Sequence, residues 1–95
     1  MAEPIIFTVD DKEYEVKMSF AGARMAEAQG FNLNEATNQP FTMIPYLLYA
    51  GLYATKNRIK AQDAGDLVEK IAESKQYSFS DLTIALIDAY TELFE

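Results

Sequence analysis

The stretch Thr42-Met-Ile-Pro-Tyr-Leu-Leu-Tyr-Ala-Gly-Leu-Tyr-Ala-Thr-Lys-Asn57 decides how this chain folds. Read at helical spacing, Ile44, Leu47, Leu48, Gly51, Leu52 and Thr55 share one face. Tyr46, Tyr49 and Tyr53 recur at i, i+3, i+7 on the opposite side. A helix apolar nearly all round either runs through the middle of a domain or shows one face to a partner. Thr42 is a suitable cap, and Pro45 is tolerated in a first turn whose amide lacks a helical acceptor in any case. The pattern therefore predicts a central helix from Thr42 to about Asn57.

Upstream, Ile5, Phe7 and Val9 alternate with polar residues, as do Tyr14, Val16 and Met18, so each run has one apolar side. Asp10-Asp11-Lys12-Glu13 supplies polar turn formers between them, and a β-hairpin over residues 5–18 follows. Two strands alone are marginal, so helices must cover the apolar side. Ser19 caps a first helix, Phe20 to Gln29, closed by Gly30. Phe31 to Phe41, with three asparagines and Pro40, has the composition of the longest loop.

Downstream, Asp63 caps a third helix, with Asp66 in its first turn, Ala64, Leu67, Val68 and Ile71 on one side, and Lys70 and Lys75 toward its C-terminal end. Ser78 and Asp81 resemble a capping box for a fourth helix. Its apolar stripe is Leu82, Leu86, Ile87, Tyr90, Leu93 and Phe94. The expected fold is α+β and mainly helical: an N-terminal hairpin (5–18) followed by a bundle of about four helices (19–95). With 95 residues and no internal repeat, one domain spanning 1–95 is expected.

Composition narrows the function by exclusion. Lys+Arg 8 against Asp+Glu 15 gives a net charge of -7, which repels phosphate backbones and anionic lipid, so neither nucleic acid nor membrane is an expected partner. No histidine or cysteine is present, which removes the commonest general base, thiolate nucleophile and soft metal ligands. No Gly-x-Ser-x-Gly elbow, Ser-x-x-Lys pattern or Gly-rich phosphate loop occurs. Neither enzymatic activity nor a cofactor is expected. Met1 to Pro4 lacks the basic and apolar regions of an export signal, and no apolar run approaches a membrane span, which points to the cytoplasm.

Three features invite a functional reading, each with a plainer one beside it. Asp10, Asp11, Glu13 and Glu15 offer carboxylates to a hard cation, yet their spacing fits no EF-hand loop, and a charged hairpin tip is the ordinary solvated arrangement. Lys56, Arg58 and Lys60 offer charge to an anion, but cations at a helix C-terminus already interact favourably with its dipole. Gly22 and Gly51 lie within helical patterns and fit close helix packing, at roughly 1 kcal/mol each in propensity. For the tyrosine stripe, the favoured reading is that the rings cover the hairpin or another helix. If they instead face outward, Tyr46, Tyr49 and Tyr53 are the candidate partner-binding residues, because tyrosine is enriched at interfaces.

The order of these elements resembles the small tail assembly chaperones of long-tailed bacteriophages and prophages. The resemblance spans almost the whole chain: the hairpin Phe7-Thr-Val-Asp-Asp-Lys-Glu-Tyr-Glu-Val16, then Met18-Ser-Phe-Ala-Gly-Ala-Arg-Met-Ala-Glu-Ala-Gln-Gly-Phe-Asn-Leu33, then Leu48-Tyr-Ala-Gly-Leu52, then the Asp63 to Ile71 helix. Pro45 and the basic exit Lys56 to Lys60 depart from it. The resemblance implies a non-enzymatic factor in the host cytoplasm, absent from the mature virion. It implies binding to the aggregation-prone tape measure protein, with the tail tube protein as a further partner and a homo-oligomer compatible with the role. The competing expectation is a small acidic regulatory or antitoxin-like protein-binding module.

Overall fold

The computed structural model describes residues 5–94; Met1 to Pro4, where no export signal is expected, lie outside them. β1 (Ile5–Val9) and β2 (Lys12–Val16) form an antiparallel hairpin, with Ile5 opposite Val16 and Phe7 opposite Tyr14. The connection is tighter than the expected four residues. Asp10 and Asp11 both take positive φ, 53° and 66°, the arrangement of a two-residue turn that matches strand twist, so Lys12 and Glu13 belong to β2. Ile5, Phe7 and Val9 are buried, and Phe7 stacks on Tyr14 at 5.1 Å. Met18 lies beyond β2 but packs against the same core.

α1 (Phe20–Gln29) has the expected limits. Ser19 Oγ accepts the Gly22 N–H at 3.0 Å. At the other end Gly30, at φ 122°, and Phe31 donate to the carbonyls of Glu27 and Ala26, the paired bonds that close a helix through a left-handed residue. Phe31 then turns into the core. The following segment carries a short 3-10 turn, Leu33–Glu35.

α2 (Pro40–Leu52) begins two residues before the expected cap Thr42 and ends five residues before Asn57. Pro40 takes the first helical position, where its fixed φ is already helical and its missing N–H costs nothing. The end is set by donors from elsewhere. Lys17 N–H reaches the Gly51 carbonyl at 2.8 Å, Thr55 Oγ1 donates to the Leu52 carbonyl at 2.8 Å, and Arg58 Nε donates to the Tyr53 carbonyl at 2.6 Å. These occupy carbonyls that a longer helix would have used. Arg58 thus meets a helix end as expected, through a direct hydrogen bond, while Lys56 and Lys60 are exposed in the connection that follows.

As expected of a central helix, α2 is packed by α1, β2, and the two later helices, α3 (Ala64–Glu73) and α4 (Phe79–Thr91). Ile44, Leu47, Leu48, Ala50 and Leu52 are fully buried. The two packing glycines act as close-approach points: a Cβ on Gly22 would overlap the Ala50 carbonyl oxygen, and one on Gly51 would overlap Val16 Cγ1. α3 follows a 3-10 turn, Ala61–Asp63, and Asp63 makes no side-chain capping bond, contrary to expectation. The preceding turn puts Asp63 itself in helical conformation, and an extended backbone is what a cap requires. Ala64, Leu67, Val68 and Ile71 are buried as expected.

Ser78 Oγ accepts from the Asp81 N–H at 3.1 Å and starts α4, which buries Leu82, Leu86 and Tyr90. Ile87 and Leu93 are half-buried against the core. Phe94 leaves the stripe and is 71% exposed, because the chain tightens into a 3-10 turn, Glu92–Phe94, that breaks the α-helical phase. Among the described residues no helix is long and apolar enough to cross a membrane.

Candidate partner-binding surface

The tyrosines of α2 do not form an open stripe. Tyr49 is 6% exposed and belongs to the core. Tyr53 is half-buried: Tyr49 meets it edge-on at 6.0 Å, and the Arg58 guanidinium covers the ring at 4.1 Å from its centroid. Tyr46 is half-buried, with its hydroxyl beside Gly30 at the end of α1. Each ring is engaged within the fold, and Tyr49 is closed off from solvent. Tyr46 and Tyr53 keep only part of their surface in water.

An exposed aromatic ring lies at the other end of α2. Phe41, 77% exposed, stacks on Phe79 at 4.6 Å with the ring planes 21° apart. The pair stands over a cleft of about 340 Å³ whose walls are Phe41 and Pro45 of α2, Gly65, Val68, Glu69 and Ala72 of α3, and Phe79 at the start of α4. All but Glu69 are apolar or glycine. Phe41 escapes a reading of the sequence because it falls off the α2 core stripe, in the segment with loop composition. Phe79 escapes because it precedes the α4 stripe. One local signal exists: each is an aromatic in the first turn of a helix, where no core contact follows from the helical period.

Two properties of the backbone add to this surface. Because α2 starts at Pro40, Pro45 is its sixth residue and not part of the first turn. Its missing N–H therefore deprives the Phe41 carbonyl of the helical donor it would otherwise have. Gly65 has nothing within 4 Å of a built Cβ, so no internal packing demands a glycine there.

The charged groups are arranged differently. Asp10 is spent on Lys70, at 3.0 Å, an ion pair that ties the hairpin turn to α3 and raises the Lys70 pKa. Lys70 lies in the last turn of α3, as expected, and serves the hairpin turn from there. Glu13 and Glu15 border an open polar depression of about 430 Å³ shared with Lys17 and Lys56, where both signs of charge meet. Among the described residues no three carboxylates converge as metal ligands would. Tyr90 donates its hydroxyl to Glu27 at 2.9 Å, joining α4 to α1; burial, then this hydrogen bond, pushes its pKa up to about 12.

No curated protein and no solved structure matches the chain. Over residues 1–95, hairpin and all four helices included, it matches the family described as Domain of unknown function (DUF5055), and it belongs to that family.

Proposed function

We propose that this chain is a non-enzymatic tail assembly chaperone of a long-tailed bacteriophage or prophage. In this reading it binds the tape measure protein in the host cytoplasm, assists tail tube assembly and is left out of the mature virion. The observation that carries the reading is the Phe41–Phe79 pair, an exposed ring stacked on a half-buried one over an apolar cleft in a chain of net charge -7. Contiguous apolar surface of this kind marks protein interaction sites, and the surrounding charge keeps a chaperone soluble while its client is covered. The resemblance in element order supplies the identity of the client.

The test is co-expression with segments of a phage tape measure protein. At least one segment is expected to stay soluble and co-purify with the chain, and to precipitate when expressed alone. Failure of every segment to remain in solution with the wild-type chain removes this reading.

A further inference from the structure

The cleft beneath Phe41 and Phe79 specifies the chemistry of what it binds. Its walls are helices, so it offers no strand edge, and contact is made chiefly through side chains. The rings, Val68 and Ala72 accept apolar groups, and the absence of a side chain at Gly65 leaves the α3 wall open to close approach. Glu69 lines the cleft, Glu73 is exposed one turn further along the same helix, and the Phe41 carbonyl lacks its helical donor because of Pro45, whereas Asp66 lies on the hairpin side of α3 beside Lys70. Among the described residues no cation lines the cleft.

A second copy of this chain is a poor occupant. A two-fold interface sets the same patch against itself, which would bring Glu69 toward Glu69 between two chains each carrying -7. We infer that the cleft receives an amphipathic helix of another protein, which seats apolar side chains between Phe41, Phe79 and Val68 and places flanking lysines or arginines beside Glu69 and Glu73. The inference rests on the reading of the chain as a client-binding chaperone and narrows it to a place and a chemistry.

The experiment is a titration of the isotopically labelled full chain with a designed leucine–lysine amphipathic helical peptide, followed by backbone amide shifts, with a leucine–glutamate counterpart in parallel. The leucine–lysine peptide is expected to shift Phe41, Gly65, Val68 and Ala72, with affinity falling as salt rises. Phe41→Ser is expected to weaken it by about tenfold or more without moving the melting temperature, since the ring is already 77% exposed. Gly65→Gln, which fills the cleft from the opposite wall, is expected to do the same. Shifts confined to other surfaces, equal binding of the leucine–glutamate peptide, or variants that bind like the wild type would overturn the inference. Docking of the peptide in the cleft with no tape measure segment retained supports the cleft and refutes the client. A segment that co-purifies but docks elsewhere refutes the cleft and leaves the chaperone reading standing.

Discussion

Gln76 lies against Thr8 as a one-residue substitute for a third strand. Its Oε1 accepts the Thr8 N–H at 2.7 Å, and its Nε2 donates to the Thr8 carbonyl at 2.6 Å. A two-stranded sheet leaves both edges open, and an open edge is a template for pairing with other chains. On β2 the outer edge is met in a similar way, by Asn57 Nδ2 donating to the Glu13 carbonyl at 2.6 Å. Gln76→Ala is expected to cost about 1 kcal/mol, given the net worth of exposed hydrogen bonds. It is also expected to speed exchange of the Thr8 amide; an unchanged exchange rate at Thr8 would show that the contact protects nothing.

The glycines separate by what surrounds them. Gly22→Ala drives a methyl into the Ala50 carbonyl and is expected to lose about 1–3 kcal/mol in a denaturant titration. Gly65→Ala meets open space and is expected to gain up to about 1 kcal/mol through helix propensity. Opposite signs for two glycine-to-alanine changes check the packing directly.

Burial likewise divides the tyrosines of α2. Tyr49→Ala empties a core position and is expected to destabilise the free protein by about 3 kcal/mol, and Leu86→Ala, fully buried on α4, by about 2–5 kcal/mol. Tyr53→Ala removes a half-buried ring and its Arg58 contact and is expected to cost clearly less than Tyr49→Ala. Equal losses at Tyr49 and Tyr53 would contradict their placement.

Alkaline pH reads the link between α4 and α1. Folding raises the Tyr90 pKa to about 12 from an ordinary value of about 10, so the fold favours the neutral phenol. Its contribution to stability is fully present below pH of about 10 and is lost as pH rises toward about 12. Tyr90→Phe is expected to flatten the fall in stability across that window. A fall in stability of equal steepness in the wild type and Tyr90→Phe across that window would argue against the burial of this hydroxyl.

Much of this architecture is legible in the sequence because its signals are local. Ser19 and Gly30 bound α1 through bonds to residues three or four positions away, and the same holds for Ser78 at α4. Where the determinant is distant, a sequence reading drifts. The end of α2 depends partly on the Lys17 amide, brought in by the hairpin, and the start of α3 on a 3-10 turn that displaces the Asp63 cap. The helical period places Tyr46, Tyr49 and Tyr53 on one side of α2 but does not say what covers that side. The Phe41–Phe79 pair is a meeting of two helix starts 38 positions apart, visible only once α2 and α4 are packed together.

Calorimetric titration of a co-purifying tape measure segment shows whether the apolar cleft built on Phe41 serves a client. Wild-type chain is expected to bind that segment, and Phe41→Ser to bind about tenfold more weakly or worse at an unchanged melting temperature. Equal affinities for the two proteins would contradict that role.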